Sequence, residues 1–216
     1  MTEREETLSE ERASSITHGI GIVFSLAVIP FMIMAAREKS VASMVWAVSV
    51  FGFGMLMVYT SSTLYHAARE ARTKHLLRIW DHISIFVLIA GTYTPMVIKY
   101  TDRVTSIVFL SIMWAIVLAG SLMKIFYTGK NKVFSVSLYL AMGWMALFII
   151  KPLSVNMPLP VMGWALAGGL AYTLGVVFYL WKKLLYHHAV WHLFVLAGTV
   201  THFFAVYNSI PINIKL

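Results

Sequence analysis

Three histidines in this chain are of a type and at a spacing that can grip a metal ion. His188 and His192 stand four positions apart in His188-Ala189-Val190-Trp191-His192, so on a helix their imidazoles share one face. The third, His66, closes a long apolar run in Ser62-Thr63-Leu64-Tyr65-His66. Neutral imidazole is a good zinc ligand, and three protein ligands with one open position is the arrangement of a catalytic site. Zinc held there can lower the pKa of a bound water to about 7. Copper and nickel compete for the same nitrogens, so zinc is the preferred ion and not a deduced one. An ionisable side chain in a membrane segment is costly to insert, and is a functional-site hypothesis by default.

Two further residues complete the candidate site. Asp81, in Trp80-Asp81-His82, reads as the only acidic residue within or bordering an apolar run. A carboxylate there can orient a water, act as general base, or hold a ligand imidazole from behind. Ser62 lies one turn before His66 and can hydrogen-bond the same water or a substrate carbonyl. Plainer roles exist for each residue alone. His188 and His192 border Lys182, Lys183 and His187, so they suit a helix end at the membrane surface. Ser62 can bond its own helix backbone, and Asp81 can pair with Arg78. The metal reading gains its weight from three helices presenting such residues at one depth. His18 is expected to be a helix-start cap or to stand behind the ligands. His202, deeper, is expected to bond across helices or line a cavity, while His75, His82 and His187 are expected at the interface.

The elements that must position these side chains are membrane helices. Of the 216 residues, 59% are hydrophobic and 12% charged, against roughly 25% charged in a soluble domain. Seven apolar runs cover about Thr17–Ala36, Val41–Tyr65, Ile79–Lys99, Val104–Lys124, Val133–Ile150, Leu159–Trp181 and Ala189–Ile210. Each is long enough to cross a ~30 Å hydrocarbon core as a helix. Barrel strands would be ~10 residues long and alternate in polarity, and these runs do neither. The expected fold class is therefore an all-α integral membrane protein of seven transmembrane helices. Its organisation is a charged tail over 1–16, a helical domain over 17–210 and a short tail over 211–216. Thr92-Tyr93-Thr94-Pro95 should bend or end the third helix, because proline removes a backbone donor. The first apolar run is expected to serve as its own insertion signal.

Charge placement gives the orientation. The net charge is +8, but the basic residues are scattered in short loops without the stripe or aromatic module that nucleic acid requires. Nucleic-acid binding is excluded on that ground, and the lipid bilayer is the expected partner. Arg4, Arg12, Arg69, Arg72, Lys74, Arg78, Lys124, Lys130, Lys132, Lys182 and Lys183 fall on the side of the N-terminus. Arg37, Lys39, Lys99, Arg103, Lys151 and Lys215 fall on the other. The excess places the N-terminus in the cytoplasm and the C-terminus outside. The absence of cysteine excludes disulfides and thiolate metal sites.

At these residues the chain resembles the hemolysin III family, the bacterial branch of the progestin and adiponectin receptor superfamily. The matching passages are Ser15-Ile16-Thr17-His18-Gly19, Ser62 to His66, Asp81-His82 leading to Ala90-Gly91-Thr92-Tyr93-Thr94-Pro95, and His188 through His202-Phe203. The resemblance implies seven helices, a cytoplasmic N-terminus and a bacterial plasma (inner) membrane. It implies a zinc ion held at His66, His188 and His192, with Ser62 and Asp81 close by. One departure stands at Ser14, where relatives commonly carry asparagine. The superfamily is similar in motif to alkaline ceramidases, which implies hydrolysis of a lipid amide, with Asp81 moving the proton. A zinc-containing receptor or sensor without turnover is the second expectation, and membrane lysis or pore formation the third.

Overall fold

The computed structural model describes residues 6–39 and 42–210. The expected tail over 211–216 lies outside the described residues, as do Arg4 and Lys215 of the charge count. The described residues form helices α1 (Leu8–Lys39), α2 (Ala42–Ala67), α3 (Ala71–Tyr100), α4 (Arg103–Tyr127), α5 (Lys132–Gly143), α6 (Ile150–Asn156), α7 (Leu159–Leu180) and α8 (His187–Ser209), with no strand among them. A 3₁₀ turn over Met145–Ile149 joins α5 to α6, and together they make the fifth of seven membrane-length spans. The described residues are thus all-helical, with seven helices long and apolar enough to span a membrane.

Two helix starts differ from expectation, each for a local reason. The first helix starts at Leu8 and not at Thr17, so part of the expected charged tail is helix. Thr7 N–H donates to Glu10 Oε2 at 2.9 Å, and Glu10 N–H returns a bond to Thr7 Oγ1 at 3.4 Å. This is a capping box, and it satisfies amides that a helix start otherwise leaves without partners. The third helix starts at Ala71, where the Glu70 carboxylate accepts from the Arg72 and Thr73 amides. It also runs through Pro95 to Tyr100 without ending. A helix that stopped at mid-membrane would strand backbone groups in hydrocarbon. Around the proline, the Thr92 and Thr94 hydroxyls add bonds to the Leu88 and Ala90 carbonyls, both at 2.8 Å.

The fifth span, expected as one helix, is broken after Gly143. Tyr93 of α3 repairs the break: its hydroxyl donates to Gly143 O at 2.6 Å and accepts from Ala146 N–H at 3.0 Å. Trp144 Nε1 then donates to Thr173 Oγ1 of α7 at 3.1 Å. Non-helical backbone at membrane depth is tolerated when protein groups satisfy it in this way.

Packing places α1 between α2 and α8, α3 between α2 and α4, and α7 against α8. The α2–α3 pair is the closest. A methyl group on Gly54 would meet the Leu88 backbone at 3.0 Å, and one on Gly91 would meet the Val50 carbonyl at 3.1 Å. Small residues let membrane helices approach to this distance. The approach brings the C-terminal end of α2, with His66, beside the N-terminal half of α3, with Asp81. Phe51, Met55, Tyr59 and Phe86 fill the interior, whereas Phe126, Phe148, Val155 and Leu159 face outward, as suits a lipid-facing surface.

Candidate metal centre

His66, His188 and His192 come together at one end of the bundle. Each presents a ring nitrogen, and these nitrogens lie within 4.8 Å of one another. Ring centroids are 4.8 Å apart for His66–His188, 5.1 Å for His66–His192 and 4.6 Å for His188–His192. His66 and His192 are each 2% exposed. The four-residue spacing on α8 carries His188 and His192 onto one face, as helical geometry requires, and α2 delivers His66 to the same level.

Neighbouring acceptors set which nitrogen is free in two of the three rings. Glu11 Oε2 lies 2.7 Å from His66 Nδ1, so that nitrogen donates and Nε2 is the one with a lone pair to give. Nε2 of His66 is buried without a hydrogen-bond partner. His192 Nδ1 lies 3.1 Å from the Ser14 carbonyl, which again leaves Nε2 for a ligand. His188 Nδ1 is 3.3 Å from Glu6 Oε1. Carboxylates and backbone carbonyls behind metal-binding histidines fix the tautomer and raise ligand basicity in this manner. The donor set therefore fits a divalent ion: two rings are held with Nε2 presented, and one of those nitrogens is a buried orphan.

Glu11 is itself held, because Lys74 Nζ donates to Oε1 at 2.7 Å. Glu10, 2% exposed, accepts from the backbone N–H of Tyr186 at 2.9 Å. Tyr186 sits at φ 57° immediately before α8, a left-handed conformation that costs a non-glycine residue roughly 1–2 kcal/mol. Glu10 thus pins the start of the helix that carries His188 and His192.

The other expected residues fall as follows. Asp81 is close enough to Ser62 and His66 to interact with both. Ser62 is fully buried, and its Oγ has no hydrogen-bond partner of good geometry, so it does not bond its own helix. His18 is no helix cap. It is buried in α1, both its nitrogens lack partners, and its ring stacks on His192 with centroids 3.5 Å apart. His202 Nε2 meets the Ala165 carbonyl of α7 at 3.0 Å, and the ring also lines a cavity. His75 is exposed. His187, expected at the interface, is 2% exposed with Nε2 3.7 Å from Glu6 Oε1. His82 is half-buried, its Nδ1 2.6 Å from the Arg78 carbonyl.

Glu6, Glu10 and Glu11 are the residues that sequence reasoning passed over, since they stand in a segment read as a solvated tail. The signal was present. Thr7-Leu8-Ser9-Glu10 is a capping-box pattern that starts the helix early. Once it does, Glu11, Ser14 and His18 share a face at helical spacing.

The centre opens on a cavity of about 950 Å³. Its wall includes Asp81, His18, His188 and His192, and also Met96, Leu153, Met157 and Val195. His66 and Ser62 stand behind that wall. Asp81 and Met96 line it from points separated on α3 by ~22 Å of helix, so a polar end is continuous with a long apolar chamber.

A family model described as "Haemolysin-III related" matches residues 6–203. The chain belongs to the haemolysin III family. It is 40% identical to the hemolysin-3 homolog of Bacillus subtilis (strain 168) over 200 residues, 93% of this chain and 94% of that one. It is 38% identical to hemolysin-3 of Bacillus cereus over 206 residues, 95% and 94% of the two chains. A more distant likeness, 24% over 211 residues, reaches the human monocyte to macrophage differentiation factor, covering 94% of this chain and 85% of that one. The family match begins at Glu6, so the segment carrying Glu6, Glu10 and Glu11 lies within the haemolysin III region.

Proposed function

We propose that this haemolysin III family protein is a metal-dependent membrane hydrolase acting on a lipid amide, with zinc held by His66, His188 and His192. The observation that carries the reading is the cavity, which puts Asp81 and two of the three histidines on the wall of a chamber able to take an acyl chain. A divalent ion at the three nitrogens would polarise a carbonyl and make a bound water acidic near neutral pH. The chain's own residues supply the rest. Glu11 and the Ser14 carbonyl keep His66 and His192 in the tautomers that present Nε2. The Asp81 carboxylate takes a proton from the attacking water and returns it to the leaving amine. The Ser62 hydroxyl, behind the cavity wall, steadies the Asp81 carboxylate that it neighbours. The apolar depth around Met96, Leu153 and Val195 holds the chain and excludes water. In this proposal the protein sits in the bacterial inner membrane with the N-terminus, and so the metal centre, at the cytoplasmic side.

One observation favours a second reading, a sensor or receptor whose ion is closed off from substrate. Glu6, Glu11 and His66 form an overlapping group with ligand atoms within 4.8 Å of one another, so a carboxylate is at hand to fill a fourth position. Membrane lysis, the sense of the name borne by the Bacillus cereus relative, ranks third because the deeper walls of the cavity are mostly apolar and, among the described residues, carry no charged side chain. The decisive experiment measures metal by elemental mass spectrometry on detergent-purified protein and then lipid-amide hydrolysis by the same sample. About one zinc per chain with turnover supports the hydrolase. Zinc without turnover, across a panel of lipid amides, supports the sensor. Zinc retained after His66, His188 and His192 are all replaced by alanine would sink the assignment.

A further inference from the structure

A second group of charges lies away from the histidines, where α3, α4 and α5 meet. Lys124, near the end of α4, is 2% exposed, yet its side chain lines the cavity. Its ammonium donates a hydrogen bond to Ser135 Oγ of α5 and lies 5.6 Å from the centre of the Tyr139 ring. Neither partner is an anion. Arg78 of α3 lines the same part of the cavity and acts on Lys124 electrostatically. The loop after α4 is shaped around that guanidinium. Gly129, at φ 82°, leaves the space in which a side chain would begin 3.3 Å from an Arg78 nitrogen. Two like charges brought together in a low-dielectric setting repel by several times what they would in water, and a buried cation is costly unless paired. Burial of Lys124 makes sense when an anion completes it.

We propose that Lys124 and Arg78 form a binding site for a phosphate-bearing anion, foremost the headgroup of an anionic phospholipid. Among the described residues, the cationic side chains on the cavity wall include Lys74, Arg78, Lys124 and Lys130, and the carboxylates on it are Glu6, Glu11 and Asp81. Glu11 is already matched by Lys74 at 2.7 Å, and Asp81 feels both Arg78 and the histidines, so the balance at the Lys124 end is positive. An arginine fork and an ammonium are the two side chains best suited to phosphate oxygens. The same cavity continues to Met96, Leu153 and Met157, which gives the tails of a headgroup held at Lys124 an apolar path. The site stands independently of any ion at the histidines.

The test is native mass spectrometry of the full chain in detergent, titrated with dioleoyl phosphatidylglycerol, dioleoyl phosphatidylcholine or inorganic phosphate. Phosphatidylglycerol should bind as one retained molecule, phosphatidylcholine roughly tenfold or more weakly, and added salt should release the former. Lys124→Met, which keeps the buried volume and removes the charge, should lower phosphatidylglycerol affinity roughly tenfold or more. Arg78→Gln should act in the same direction, and it carries the comparison if Lys124→Met fails to fold. Displacement of the lipid by millimolar inorganic phosphate would support the anion site and name a soluble phosphate as its occupant. His188→Ala/His192→Ala should leave phosphatidylglycerol binding intact; loss there would place the anion at the metal centre and overturn the proposal. Wild-type affinity in both Lys124→Met and Arg78→Gln would overturn it as well.

Discussion

At the scale of single residues, Glu11 sets the ring tautomer at the candidate metal centre. One of its oxygens accepts from His66 Nδ1 and the other from Lys74 Nζ, so it holds the His66 ring with Nε2 presented. Glu11→Gln should keep the fold and lower zinc affinity about 10–100-fold, the usual cost of losing such a support; a competition titration against a chelator reads it. His192→Ala should abolish bound zinc, whereas Asp81→Asn should keep about one zinc per chain and lose turnover. Equal zinc loss in both would make Asp81 a ligand. Position 14 needs no particular side chain for its bond to His192, because the acceptor is the Ser14 backbone carbonyl, which any residue provides.

At the scale of elements, the broken fifth span and the helix starts carry the testable consequences. Tyr93→Phe removes one hydroxyl that serves both the Gly143 carbonyl and the Ala146 amide. A backbone group left unsatisfied at membrane depth costs about 1–3 kcal/mol, so melting in detergent should fall clearly while zinc content stays near wild type. Glu10→Ala removes the N3 side of the α1 capping box and the acceptor of the Tyr186 amide together. It should lower both thermal stability and zinc affinity, since the start of α8 loses its anchor. Two loop carboxylates give an acid dependence. Bonds from the Thr73 hydroxyl and then the Thr73 and Arg72 amides hold Glu70 below the ordinary carboxylate range, and the Thr105 hydroxyl and amide do so for Asp102. A lowered folded pKa means stability that is fully present above the unfolded value of ~4 and lost as pH falls through the folded one. The Glu70→Gln/Asp102→Asn variant should therefore show a flatter acid limb in melting temperature against pH below ~4.

At the scale of the whole molecule, the absence of cysteine turns topology into a clean experiment. Arg72→Cys and Lys183→Cys should react with an impermeant maleimide only after the membrane is opened, and Arg103→Cys should react on intact cells. The reverse pattern would invert the bundle and move the metal centre to the outer face. Much of the architecture is legible without coordinates because hydrocarbon demands complete helices. Seven runs of sufficient length then leave few alternatives, and the i, i+4 pair His188 and His192 needs only its own helix to be aligned. Pro95 and Gly143 were harder to read. Whether a proline ends a helix, or a glycine breaks one, depends on partners such as Tyr93 that stand on another span.

The sequence by itself determined the class, the number of spans, the loop charge balance and the histidines that share a site. Only the tertiary structure decided what stands behind those histidines. Glu11 meets His66 across 55 positions, Glu10 meets Tyr186 across 176, and Ser14 meets His192 across 178. Local periodicity encodes which residues share a face of one helix. It does not encode the rotation and depth at which two helices pack, and those two quantities bring the carboxylates of α1 to the imidazoles of α2 and α8.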